Sequence, residues 1–150
     1  MFLWRISNHS TLEGRGGLLA SARWHTEGRP IVYFAESPPG ALVEHLVHLE
    51  LNPAHLPKSY RLLKAEAPNG LPLATVSIAD LPPNWITHAI ATRTLGDEWL
   101  ALKSSALLRV PSAILPETFN ILLNPEHLDT SRVKVLWHAE HPWDTRLLGR

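Results

Sequence analysis

Residues 21–48 read SARWHTEGRPIVYFAESPPGALVEHLVH, and two structural periods meet inside that stretch. RPIVYFAES is apolar and β-branched, which predicts a strand carrying Tyr33. Ser37 follows as a helix N-cap, and Pro38 suits the first helical position, where its fixed φ and missing N–H do no harm. The helix is predicted to run through ALVEHLVHLEL to about Leu51, before Asn52-Pro53 stops it. Leu42, Leu46 and Leu49 form an apolar stripe at helical spacing. Glu44 and His48 share another face, four residues apart.

Outward from this strand–helix pair, thirteen prolines cut the chain into short pieces, so long helices are few. FLWRIS reads as a first strand, and residues 13–22 as a glycine-containing loop. YRLLKAEA and LATVSI read as strands, residues 97–104 as a short helix carrying Trp99, and ALLRVPSAIL, FNILL and VKVLWHAE as further strands. No internal repeat, low-complexity tract or linker interrupts the order, so residues 1–150 are expected to form one domain. Strands outnumber helices and do not alternate with them cleanly. That pattern predicts an α+β fold rather than a doubly wound parallel sheet.

Composition excludes several function classes. Fourteen basic residues balance fourteen acidic ones and none cluster as a basic arm, which argues against direct nucleic acid binding by this chain alone. There is no cysteine, so thiol nucleophiles, disulfides and thiolate-bound zinc are excluded together. No apolar run approaches a membrane span, and MFLWRISNHS lacks the basic start and long apolar core of a secretory signal. The expected location is cytoplasmic. Gly14-x-Gly16 has Leu19 where a Rossmann fingerprint needs a third small residue, so a dinucleotide-binding fold of that type is rejected.

Three polar residues in the opening stretch carry the chemistry: Arg23, Tyr33 and Glu44. A guanidinium matches a phosphate with two parallel donors. A phenol ring stacks on a flat base. A carboxylate steadies a sugar cation as it forms. Together they suit a site that binds a dinucleotide and breaks its nicotinamide–ribose bond. Each residue alone also has an ordinary reading: a surface arginine beside a tryptophan, a core tyrosine, and a helix-surface glutamate paired with His48.

The motifs around these residues follow a known pattern. Gly16-Gly17, Arg23-Trp24, Gly28-Arg29-Pro30, Val32-Tyr33, Ala35-Glu36-Ser37 and the helix from Leu42 to His48 come first. L-G-D-x-W-L at Leu95–Leu100, L-R-V-P-S-A at Leu108–Ala113 and N-x-L-L-N-P at Asn120–Pro125 follow in the same order. The chain resembles the RES domain, a family named for its arginine, glutamate and serine, over nearly its whole length. Two departures are Ser21-Ala22, where relatives often have glycines, and His25, often asparagine.

The resemblance implies an ADP-ribosyltransferase-like fold: a split, curved β-sheet with short flanking helices and a cleft. It implies the toxin of a type II toxin–antitoxin system that degrades NAD+ as a glycohydrolase or phosphorylase. The alternatives are a protein ADP-ribosyltransferase toxin and a non-catalytic nucleotide- or protein-binding module. Arg23 becomes the phosphate anchor, Tyr33 the ring that pins nicotinamide, and Glu44 the key carboxylate, with Glu36 as its rival. Ser112 and Asn120 become polar supports of the pocket. No G-x-S-x-G surrounds Ser112, so an acyl nucleophile is not supported.

NAD+ is then a substrate, with inorganic phosphate as co-substrate in the phosphorolytic case, and no cofactor is required. The implied partner is an Xre-type helix-turn-helix antitoxin, with room for a toxin homodimer inside a hetero-oligomeric complex. No metal site is expected: H-E-x-x-H is absent, and Glu44, His45 and His48 are the single local group worth a test.

Overall fold

The computed structural model describes residues 1–49 and 56–148. Seven strands and three α-helices follow one another as β1 (Phe2–Ile6), α1 (Gly16–Leu19), β2 (Val32–Ala35), α2 (Pro38–Leu46), β3 (Ser59–Glu66), β4 (Leu73–Thr75), α3 (Ile90–Leu102), β5 (Leu107–Pro111), β6 (Phe119–Leu123) and β7 (Lys134–Pro142). The strands form one sheet in the order β4-β5-β6-β2-β1-β3-β7, with β4 and β7 as its free edges. Among the described residues only β4 and β5 run parallel; every other neighbouring pair is antiparallel. The fold is α+β, a curved sheet that does not close, as the strand-rich order predicts.

The sheet is split in its ladder. β1 and β3 pair over five residues, and β2 and β6 over four, but β1 meets β2 at the single pair Trp4↔Ala35. Two lobes, β4-β5-β6-β2 and β1-β3-β7, therefore join at a narrow seam.

Side-chain alternation explains the apolar run in β2. Val32 and Phe34 enter one core with Leu3, Leu63, Ala65, Leu107, Ile121 and Leu123. Tyr33 packs on a second core, built from Trp24, Trp85, Trp99, Leu100, Leu108, Val110 and Leu122. A strand covered on both faces reads as a near-continuous hydrophobic stretch. The first core draws on both lobes. The second takes no residue from β1, β3 or β7, so on that face no core crosses the seam.

Helix α2 begins as its sequence dictates. Ser37 is extended, with φ −146°, and its Oγ accepts from the Gly40 N–H at 3.2 Å. The helix ends at Leu46, short of the expected Leu51; the expected stop at Asn52-Pro53 lies outside the described residues. Leu42, Leu46 and Leu49 are half-buried and only Ala41 is fully covered. The stripe is not a core face because α2 lies over the seam, against β1 and β2.

Other boundaries also differ from expectation, and the strand expected over ALLRVPSAIL stops at Pro111, where Ser112 Oγ turns the chain by accepting from the Ile114 and Leu115 N–H groups. The loop over 13–22 contains one helical turn, α1, where Gly17 lies against the Arg29 carbonyl so closely that a Cβ would come within 2.2 Å of it. Strand β4 stops at Thr75, because Ser77 and Asp80 form a capping box that starts a 3₁₀ turn over Ile78–Asp80. Helix α3 starts at Ile90 rather than 97. Ile90-Ala-Thr-Arg-Thr-Leu-Gly96 is rich in β-branched residues and ends in glycine, a poor helix sequence that tertiary packing overrides. Among the described residues no helix is long and apolar enough to cross a membrane.

Candidate active site

A cleft of about 700 Å³ opens at the seam. Trp4, Tyr33 and Ala35 line it from β1 and β2, and Glu44, His45 and His48 from α2 and the turn after it. Ser21–Trp24 and Arg93 of α3 complete it. The volume lies in the range of small-molecule sites.

Glu44 occupies one end. Its Oε1 accepts two hydrogen bonds, from Ser112 Oγ at 2.7 Å and Asn120 Nδ2 at 2.8 Å. Among the described residues Oε2 has no hydrogen-bond partner, so one oxygen is fixed and the other is free for a ligand. Ser112 Oγ in turn accepts from the Ile114 and Leu115 N–H groups at 3.1 and 3.2 Å. With its proton given to Glu44 and its lone pairs taken, this hydroxyl is a brace. Ser112 lines a smaller neighbouring cavity of about 170 Å³, not the main cleft; Glu44 and Asn120 line both and separate them. Glu36 faces that smaller cavity and is held by Arg109, Nε to Oε1 at 2.6 Å, with the guanidinium 3.4 Å over the Phe119 ring. Glu44 therefore faces the main cleft, and Glu36 does not.

Tyr33 spends its hydroxyl inside the protein. His25 Nε2 lies 2.9 Å from the Ala20 carbonyl, which can only accept, so Nε2 carries the proton. His25 Nδ1 then accepts from the Tyr33 O–H at 2.8 Å, and the Tyr33 oxygen accepts from the Trp24 N–H at 3.2 Å. Burial holds the phenol pKa well above its ordinary value and pushes the His25 imidazole below its own, so both stay neutral at pH 7. Tyr33 thus lines the cleft with its hydroxyl proton already donated.

Arg23 occupies the cleft with its Nη1 donating to the Trp85 carbonyl at 2.9 Å and its guanidinium 6.0 Å from the Trp85 ring centroid. Helix α3 holds the loop that carries it. Thr92 Oγ1 donates to the Arg23 carbonyl at 2.6 Å, and Arg93 Nε to the Ala22 carbonyl at 2.8 Å. At Gly96 a Cβ would come within 1.8 Å of the Trp24 carbonyl oxygen. Thr92, Arg93 and Gly96 thus clamp three consecutive residues.

Of the five residues expected at the site, Ser112 and Asn120 both bond Glu44, and Arg23 and Tyr33 line the same cleft as Glu44 and Asn120. Among the described residues no group of three His, Asp or Glu side chains gathers as a metal site, and Glu44, His45 and His48 do not form one.

The family model of the RES domain matches residues 2–145. The chain belongs to the RES domain family. It is 50% identical over 138 residues to a protein named Toxin Res of Pseudomonas putida, covering 90% of this chain and 92% of that one. It is 36% identical to a Toxin Res of Photorhabdus laumondii, over 99% of this chain and 97% of the relative. It is 33% identical to the Prs ADP-ribosylating toxin of a Sphingobium species, over 98% of this chain and 96% of the relative. In fold it resembles a chain of the M. tuberculosis MbcT–MbcA toxin–antitoxin complex, with a TM-score of 0.77 and 14% identity, covering 99% of this chain and 86% of that one.

Within this RES domain, sequence reasoning passed over His25, Trp85, Thr92 and Arg93. His25 stood out only as a departure from the family's usual asparagine. Thr92 and Arg93 fell outside the helix expected from residue 97. A helix read back through Ile90 would have placed Thr92, Arg93 and Gly96 on neighbouring turns, and that was the available signal.

Proposed function

We propose that this RES domain is a toxin that consumes NAD+ by cleaving its nicotinamide–ribose bond. The observation that carries the reading is Glu44, braced by Ser112 and Asn120 at one end of a cleft whose other residues include Arg23 and the ring of Tyr33. When the C1′–N bond breaks, its electron pair goes to the pyridinium nitrogen and nicotinamide leaves neutral. The leaving group needs no proton. The demand falls on the sugar, which becomes an oxocarbenium-like cation. Glu44 would bind a ribose hydroxyl through its free oxygen and stabilise that cation, while Ser112 and Asn120 keep the carboxylate from turning away. Arg23 would hold the pyrophosphate, or incoming phosphate in a phosphorolytic reaction. Tyr33 would stack on nicotinamide with a ring whose far end is anchored by His25 and the Trp24 N–H. Water or phosphate then forms the new bond to C1′, and water releases one proton.

A second reading shares the site and differs in the acceptor. The 33% identity to a Prs ADP-ribosylating toxin favours transfer of ADP-ribose to a protein. In either case an enzyme that drains NAD+ needs restraint. We place an antitoxin at the cleft rim, in line with the toxin–antitoxin complex that shares this fold. The neutral charge of the chain fits a helix-turn-helix partner that does the DNA binding.

The test is incubation of the purified chain with NAD+, with and without inorganic phosphate, followed by product analysis. Free nicotinamide with ADP-ribose or its 1″-phosphate supports the first reading; ADP-ribose found only on added protein supports the second. Glu44→Ala should lower turnover roughly 100- to 1,000-fold in a folded protein, the scale of removing one group aimed at developing charge. Full turnover by Glu44→Ala would remove the carboxylate from the mechanism.

A further inference from the structure

We propose that Arg93 joins Arg23 in a two-guanidinium cradle for a diphosphate, so that the ligand class is a nucleoside diphosphate gripped at both phosphates. This rests on the reading of the cleft as a nucleotide site. Both arginines line the cleft and both are half-buried. Each is tethered to a backbone carbonyl by one nitrogen, Arg23 by Nη1 to Trp85 and Arg93 by Nε to Ala22. The tether fixes the plane of each fork and leaves other N–H donors for a ligand. Among the described residues neither arginine has a carboxylate partner. The acid nearest in sequence to Arg93 along α3, Asp97, is already engaged by Arg29 at 3.1 Å and by the Thr26 N–H and hydroxyl at 2.9 and 2.6 Å. Two guanidiniums with no ion pair among the described residues thus line one cleft, which also holds the Glu44 carboxylate. Held in place and partly desolvated, they favour a ligand with two adjacent anionic groups over one with a single charge.

Arg93 also supports the Arg23 loop, so the experiment must separate grip from support. Calorimetric titration of the purified chain with ADP, AMP and adenosine does this. ADP should bind most tightly and adenosine most weakly. Arg93→Gln removes the charge while keeping a donor for the Ala22 carbonyl. It should weaken ADP roughly 10- to 100-fold, as expected for a lost charge-assisted contact. Adenosine binding should not change, and ADP affinity should depend less steeply on salt. Arg93→Lys keeps the charge and should retain a preference for ADP over adenosine; it decides the matter if the glutamine variant does not fold. The cradle is overturned if the wild-type chain does not prefer ADP to adenosine. It is also overturned if Arg93→Gln binds ADP unchanged, or loses ADP and adenosine in equal proportion. A wild-type chain that binds ADP by this pattern yet leaves NAD+ intact would overturn the proposed reaction and leave the cradle standing.

Discussion

His25 decides what Tyr33 offers a ligand. Because Ala20 fixes the imidazole tautomer, the phenol must donate inward, and its proton is not available to a ligand in the cleft. The pair also makes stability depend on pH. Burial lowers the His25 pKa, and burial followed by the neighbouring His48 lowers that of His45. The unfolded chain takes up protons at the ordinary histidine value near 6.5, above the folded values. Between the two, the unfolded state binds more protons, so stability is full above about pH 6.5 and declines as pH falls through the folded values. Urea midpoints should therefore be flat between about pH 7 and 8 and drop on the acid side of 6.5. His25→Asn should make that acid limb shallower, leaving the part due to His45; an unchanged limb would show that His25 does not contribute.

At the scale of elements, α3 and the Arg23 loop behave as one unit. The sequence between Ile90 and Gly96 is a weak helix former, yet Thr92 is fully buried and Gly96 touches backbone on the facing loop. A methyl at Gly96 meets the Trp24 carbonyl oxygen and carbon, which belong to the main chain and have no rotamer to escape into. Gly96→Ala should destabilise the protein by about 1–3 kcal/mol or more, the range for forcing atoms into a filled space. It should also raise KM for NAD+, since the displaced loop carries Arg23. Thermal melts and steady-state kinetics on the same preparation check this. A variant with wild-type Tm and KM would show that the helix and loop move apart freely.

On the scale of the whole molecule, the cleft is a consequence of how the sheet is joined. One lobe is covered by α3 and the tryptophan-rich second core, the other is not, and their strand ladders meet at the single pair Trp4↔Ala35, with the first core continuous beneath. The reaction proposed for that cleft has a neutral leaving group, so no Lewis acid is needed for its departure. A cation beside Glu44 would compete with the developing charge on the sugar. Protein treated with EDTA and then desalted should turn over NAD+ at the untreated rate. Activity lost on chelation and restored by one divalent metal would sink this claim together with the role of Glu44.

The local chemistry was legible in the sequence. Ser37 and Pro38 start α2 because capping and a fixed φ act within four residues, and β2 shows itself by an apolar run that both sheet faces demand. The order of motifs carried the family. The stop of β4 was also written locally, in Ser77 and Asp80, and was passed over. The extent of α3 was not local: its first two turns are helical because Thr92, Arg93 and Gly96 fit the loop at Ala22–Trp24, roughly 70 residues away in the chain. The same holds for the site. Sequence named Glu44, Ser112 and Asn120 one by one, but only the folded sheet brings the residue after β5 and Asn120 of β6 beside Glu44, so that two neutral donors fix one carboxylate oxygen. A side chain's type is set by the code; whether its partners are already taken, as for the Tyr33 hydroxyl, is decided by residues that only tertiary structure brings within hydrogen-bonding reach.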